Sequence, residues 1–294
     1  MLKIEEIIVL FKSRTEPIFL WSWCTALTCM IVGIGFPPVR QTVLAIFSSS
    51  LIGASVYIYN DFIDREMDGL NPLKQGKPMV SGKVSLSGAK VFIIITGIIG
   101  LLLAYIINLY TFIAALSFFT VFFIYSFPLI RLKKIFIIKE LVIASGFIFS
   151  SLIGSFALIK GIHIASLFFG TVSGLFVLLC TPALNDAFDT EEDKIYNVKS
   201  LASVLNWTSR IFLMIIGVLF LIIMSYVGFT FFDFGLLLPV SVIFSSLLVI
   251  RRLPGIYSGF EVDSVLKVRR IFKLYFFFIQ VMFVINYIKP IPVF

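Results

Sequence analysis

Residues 90–108 read KVFIIITGIIGLLLAYIIN, and after Lys90 the next charged side chain is Arg131. A membrane-spanning helix needs roughly 20 consecutive, mostly apolar residues, and this stretch meets that requirement without interruption. Eight more stretches read the same way, at about 17–35, 41–59, 110–128, 136–158, 163–184, 210–230, 235–250 and 271–288, the run at 235–250 being the shortest. Strands of an outer-membrane barrel would alternate apolar and polar over ~10 residues. These runs are continuous and longer, and a helix satisfies its own backbone polar groups in lipid. The whole composition agrees: 60% of the 294 residues are hydrophobic and 14% charged, against about 25% charged in soluble domains, and the mean hydropathy is +1.07. The expected fold class is all-α, a polytopic helical bundle of nine transmembrane helices.

The net charge of +8 is distributed as an orientation signal, so no nucleic-acid partner is expected. All of the 24 Lys and Arg residues except Arg40, Lys160 and Lys289 fall on the side of the N-terminal arm and the even-numbered connections. The positive-inside rule therefore places the N-terminus and these loops in the cytoplasm and the C-terminus outside. The arm, residues 1–16, spaces Ile4, Ile7, Ile8 and Phe11 as one helical face between charged residues, the pattern of an interfacial helix. No cleavable signal peptide is evident. Cys24, Cys29 and Cys180 all lie in apolar runs and read as free thiols. His163 sits at the fifth-to-sixth turn, opposite the basic side, which argues against a His-ligated metal or haem.

An internal repeat carries the chemistry. Asn60-Asp61-x-x-Asp64-x-x-x-Asp68 recurs 125 residues later as Asn185-Asp186-x-x-Asp189-x-x-x-Asp193, and Glu66 maps onto Glu191 by the same shift. Four spans separate the copies, which implies two pseudo-repeated four-helix halves plus a ninth helix, with both motifs on the basic side. The chain is one transmembrane domain, 1–294, with motif loops at 60–89 and 185–209. Asp61, Asp64, Glu66, Asp68, Asp186, Asp189, Glu191, Glu192 and Asp193 are nine of the 16 acidic residues in the chain. Offsets of three and seven stack the three Asp of each copy on one helical face. Such carboxylates repel one another unless a cation is bound. Mg²⁺ fits, because it takes oxygen ligands and shares its coordination between carboxylates and substrate phosphates. A single acidic loop beside a membrane helix is ordinarily a solvated cap. Two copies with identical spacing in equivalent positions are not explained that way.

Lys74, Lys77, Arg131, Lys133, Lys134 and Lys199 follow the motifs in the basic loops. Cations placed there would neutralise a departing diphosphate, although cytoplasmic loops are basic in any case. Lys77 stands out between Gly76 and Pro78. Tyr125, Tyr57 and Tyr59 are the aromatics nearest this side, and aromatic faces stabilise carbocations.

These residues resemble the UbiA superfamily of intramembrane prenyltransferases. Asn60 to Asp68 is similar to its first signature. Lys77-Pro78-Met79-Val80-Ser81-Gly82-Lys83-Val84-Ser85 resembles the Arg-Pro-Leu-x-Ser-Gly-x-x-Ser stretch that follows it. Tyr125-Ser126-Phe127-Pro128 through Arg131-Leu132-Lys133 resembles a Tyr-Ser-x-Pro-Pro-x-Arg-Leu-Lys segment, and Asp186, Asp189 and Asp193 with Lys199-Ser200-Leu201-Ala202 the second signature. Lys77 stands where the family has Arg, which keeps charge but loses bidentate geometry, and Leu129 replaces a second Pro. The resemblance implies Mg²⁺ held by Asp61, Asp64, Asp68, Asp186, Asp189 and Asp193. It implies a diphosphate bound with Asn60, Lys77, Arg131, Lys133, Asn185 and Lys199, and Tyr125 near the reacting carbon. The expected reaction moves an isoprenyl group from its diphosphate to a lipophilic acceptor, a quinone precursor or geranylgeranylglyceryl phosphate. The setting would be the cell membrane of a prokaryote or archaeon, with no obligate protein partner. A terpene cyclase on the same fold is the nearest alternative and would need no acceptor. An ion or diphosphate transporter is the more distant one, and would place acids near the bilayer midplane instead of at helix ends on one side.

Overall fold

Length and apolarity make helices of the expected runs, and a computed structural model describes residues 3–289. All its regular structure is helical: α1 Ile4–Ser13, α2 Thr15–Val32, α3 Val39–Asp68, α4 Leu86–Ile107, α5 Leu109–Ser126, α6 Ile138–Leu158, α7 Ile164–Leu184, α8 Thr190–Ile195, α9 Leu201–Val204, α10 Trp207–Phe231, α11 Leu237–Ile250 and α12 Val262–Ile288, with short 3-10 turns between some of them. Eight helices are long and apolar enough to cross a membrane. The chain is an integral membrane protein. Residues 290–294, on which the expectation of an outward C-terminus partly rests, and Met1 and Leu2 of the arm lie outside the described residues.

The run at 235–250 becomes α11, whose 14 residues span only about 21 Å. Its flanks complete the crossing. Gly235 donates its N–H to Asn286 O at 3.0 Å, at the far end of α12, whereas the indole of Trp207, at the start of α10, donates to Ile256 O at 2.7 Å. The segment therefore runs from one end of the bundle to the other, giving nine passes among the described residues. Two helices exceed their expected lengths by more than two turns. α3 continues past 59 to absorb the whole first motif, and α12 begins at Val262, not 271, because Lys267, Arg269, Arg270 and Lys273 depress the hydropathy of a turn that is nonetheless helical.

The repeat is visible as packing between α2 and α6. Thr25 donates its hydroxyl to Ser150 O at 3.2 Å, and the Cys29 thiol approaches Gly154 O at 3.6 Å. Both pairs are separated by 125 residues, the displacement of the motifs. A residue can touch its own image only where the two straddle the axis relating the halves, so that axis runs between α2 and α6. Small residues permit the approach, as is usual where membrane helices pack: a Cβ on Gly154 would lie 2.8 Å from Thr25 O, and one on Gly174 would collide with Ala144 O. One core joins α6, α7, α10, α11 and α12 to α2, and a second lies among α2 to α6. The arm α1 packs onto the bundle. Leu10 is fully buried with Phe92 and Ile58, and Glu6 accepts from the N–H and hydroxyl of Ser85 at 2.9 Å, capping α4.

This arrangement predicts a labelling pattern. Single cysteines at Ser87 and Lys194, both exposed, should react with an impermeant thiol reagent from the same side of the membrane. A cysteine at exposed Lys160 should react from the other. The native thiols are all buried and should stay silent. Labelling of Ser87 and Lys194 from opposite sides would overturn the nine-pass arrangement.

Candidate active site

The two motifs close on each other at one end of the bundle. The first occupies the last turns of α3, which continue unbroken to Asp68, and Asp61, Asp64 and Asp68 are buried. The second departs from the expected single helical face. α7 ends at Leu184, Asp186–Phe188 form a 3-10 turn and α8 begins at Thr190. Pro182 in the last turn of α7 removes a backbone donor, so identical spacing gives different backbones in the two halves. The loop after α3 crosses to the second motif: Asn71 donates its side-chain N–H to Phe188 O at 3.3 Å, and Lys74 lies 2.8 Å from Asp189, 2.7 Å from Glu192 and 3.4 Å from Asp68.

Between the motifs lies a cavity of about 530 Å³. Asn60, Asp64 and Asp68 face it from one motif and Asn185, Asp189 and Asp193 from the other. Lys74, Lys77, Lys133, Lys139, Arg14, Arg269, Asn71 and Tyr125 complete its polar wall. Asp61 and Asp186 sit beneath, covered by cations. Asp61 accepts from Arg14 Nε at 2.5 Å and from Lys77 at 2.7 Å, and Lys77 also reaches Asp68 at 2.6 Å. Asp64 pairs with Lys133 and, at 3.1 Å, with Arg131. Lys139 lies 3.5 Å from Asp186 and 3.1 Å from Asp193, and Asp193 also accepts from the Ser200 hydroxyl at 2.7 Å. Arg131 adopts the left-handed backbone conformation (φ 45°), costly for a residue with a Cβ and here combined with its contact to Asp64. Ser126 donates to Asn60 Oδ1 at 2.8 Å, fixing that amide at the rim.

The electrostatics of the loops follow from these contacts. Burial works against the Lys74 ammonium, but Asp189 and Glu192 outweigh it and raise its pKa. For Lys133 burial prevails over Asp64 and the pKa is lowered. Burial raises Glu192, against the pull of Lys74. Every motif aspartate thus has a basic partner, and these partners sit on long side chains able to turn elsewhere.

The donor set suits a hard cation. Asp186 Oδ2 and Glu192 Oε1 are buried without a hydrogen-bond partner, and the oxygens offered are carboxylates and amides. Among the described residues no three Asp, Glu, His or Cys side chains converge closely enough to hold a metal by themselves. Mg²⁺ takes one or two carboxylates together with substrate phosphates.

Of the expected site residues, Asn60, Asp64, Asp68, Lys77, Tyr125, Lys133, Asn185, Asp189 and Asp193 line the cavity. Asp61, Asp186 and Arg131 support it from behind. Lys199 does not reach it: its side chain is exposed and its backbone N–H donates to Lys134 O at 3.4 Å. The cations that sequence reading did not place in the site are Arg14, Lys139 and Arg269. The 125-residue shift carries Arg14 onto Lys139 and Asp61 onto Asp186, a signal available from the repeat itself. Arg269 carries no such mark.

The sequence pattern of the UbiA prenyltransferase family matches residues 21–259. A digeranylgeranylglyceryl phosphate synthase of Sulfurisphaera tokodaii is 27% identical over 235 residues, 80% of this chain and 81% of that one. A solved structure concerned with digeranylgeranylglyceryl phosphate synthase in membranes superposes with a TM-score of 0.72 at 22% identity, covering 97% of this chain and 100% of that one. A UbiA homologue from Archaeoglobus fulgidus bound to DMAPP and Mg²⁺ gives a TM-score of 0.62 at 17% identity, covering 90% and 98%. At these identities the structural likeness establishes the shared fold.

Proposed function

The chain belongs to the UbiA prenyltransferase family, and from that premise we propose that it moves an isoprenyl group from a diphosphate to a phosphorylated glycerol lipid. The observation that carries this reading is the cavity in which two aspartate motifs face each other under a ring of lysines and arginines. The relative of similar length named above supports this choice of acceptor. The active end faces the cytoplasm, as its basic loops suggest.

Asp61, Asp64, Asp68, Asp186, Asp189 and Asp193 are the residues that would hold Mg²⁺, which when bound supplies positive charge for the leaving group. Lys77, Lys74 and Lys133 bind the donor. Their ammonium groups, parked on carboxylates, turn onto the diphosphate oxygens and stabilise the charge that grows there. The allylic C–O bond breaks with its electron pair going to the diphosphate. Tyr125, on the cavity wall, presents its ring to the cation that remains. The acceptor hydroxyl oxygen then bonds to the allylic carbon, and its proton leaves on the diphosphate. Closure of the loop after α3 over the second motif through Asn71 and Lys74 excludes water that would otherwise capture the cation.

The direct experiment supplies radiolabelled geranylgeranyl diphosphate and a total lipid extract, with and without Mg²⁺. A labelled ether lipid that forms only with Mg²⁺ is expected. A labelled cyclic hydrocarbon formed without any acceptor would replace transfer with cyclisation.

A further inference from the structure

A second cavity of about 270 Å³ lies between α2, α7 and α12. Its walls are apolar, with Phe19, Phe176, Leu184, Phe272, Phe276 and Phe277 among them, and it meets the aspartate cavity at Asn185 and Arg269, which line both. At its mouth, Lys273 lies 2.6 Å and Arg269 3.7 Å from one carboxylate, that of the half-exposed Glu16. The pair is under-satisfied. Arg269 Nε is buried with no hydrogen-bond partner, and two cations share one anion. Glu16 is the second residue of α2, at the motif end. Arg269 and Lys273 lie one turn apart, about 10 and 16 Å along α12 from its start at Val262. The charges therefore lie at the motif end of the bundle, on the turns of α12 that lead into its apolar run.

We propose that Arg269 and Lys273 bind the phosphate of the lipid acceptor, whose apolar tail occupies the adjoining groove, with Glu16 holding the place until the acceptor arrives. The assignment rests on the transferase reading above and adds the residues that choose the acceptor. The donor has its own cations: Lys74, Lys77, Lys133 and Lys139 surround the aspartates. A second anion needs a second centre, and this one opens directly onto the first, so that a hydroxyl near the bound phosphate reaches the allylic carbon. An aromatic carboxylate would satisfy the cations but leave the apolar groove empty. A phosphate on a single apolar chain satisfies both, and the guanidinium matches phosphate geometry.

The test measures KM for both substrates, with geranylgeranyl diphosphate as donor and, as acceptor, either geranylgeranylglyceryl phosphate or the same alcohol without its phosphate. Wild type is expected to favour the phosphorylated acceptor. Arg269→Gln and Lys273→Gln should each raise its KM about ten- to a hundredfold and erase the preference over the alcohol, and Lys273→Gln, at a residue that does not line the aspartate cavity, should leave the donor KM unchanged. Glu16→Gln should lower the acceptor KM. Arg269→Lys keeps the charge and should keep part of the preference, which separates recognition from misfolding. An unchanged acceptor KM in the glutamine variants, or a raised donor KM with the preference intact, overturns the assignment and leaves the transferase reading standing. A wild-type protein that prenylates an aromatic acceptor and neither lipid overturns both.

Discussion

Asn in place of Asp189 is expected to lower kcat by about 10²- to 10³-fold and to leave the protein folded. Asp189 is a third exposed, and its partner Lys74 keeps Glu192 at 2.7 Å and Asp68 at 3.4 Å. No buried charge is stranded, so the loss falls on the chemistry. Asp64→Asn should lose activity to a similar degree for a mixed reason. Among the described residues Asp64 is the only carboxylate within ion-pair distance of the buried Lys133, and stripping the partner from a buried cation costs about 3–5 kcal/mol. Asp61→Asn and Asp186→Asn should likewise abolish turnover. A readout independent of turnover is thermal stabilisation by Mg²⁺, which the wild type should show and Asp189→Asn should largely lose. Wild-type kcat in Asp189→Asn would remove the second motif from the reaction.

What the sequence disclosed were local properties. Hydropathy exposes a span because the apolar residues are contiguous, and the two Asp motifs stand out because their spacing repeats in a chain with few acids. What it concealed depended on contacts between distant segments or on the backbone. Arg14 meets Asp61 across 47 residues and Lys139 meets Asp193 across 54, and a basic residue in a basic loop gives no sign of which carboxylate it will find. The start of α12 was hidden because its charged turn lowers hydropathy while still packing as helix against α2, with Arg269 and Lys273 on Glu16. The broken second motif was hidden because equal spacing does not force equal dihedrals, and Pro182 acts two residues before α7 ends. The repeat held more than its motifs: extending the same shift outward links Arg14 to Lys139, and it also links Lys74, which bridges the motifs, to Lys199, which is exposed. The symmetry is thus kept next to the axis and relaxed in the loops.

That partial symmetry predicts an ordering of stability. Arg14 and Lys139 are equivalent in the repeat, yet the carboxylates beneath them are not equally served. Asp61 accepts from both Arg14 and Lys77, so Arg14→Met leaves it one cation. Among the described residues Asp186 has Lys139 alone within ion-pair distance, at 3.5 Å, and Asp193 would retain only the Ser200 hydroxyl. Lys139→Met therefore leaves two buried carboxylates near each other without a positive charge. Removing one partner from a buried pair costs about 3–5 kcal/mol, and Lys139→Met belongs at that end. Arg14 is partly exposed, where ion pairs are screened, and its removal should cost about 1–2 kcal/mol. Thermal inactivation of the detergent-solubilised protein should rank wild type above Arg14→Met and Arg14→Met well above Lys139→Met. Adding Asp193→Asn to Lys139→Met should recover part of the loss, because it removes one of the stranded charges, and Mg²⁺ should stabilise Lys139→Met more than wild type, because it enters a site whose resident cation is gone. Equal losses for the two single variants would mean that Lys77 contributes nothing to holding Asp61, and the picture of the first motif as doubly braced and the second as singly braced would have to be abandoned.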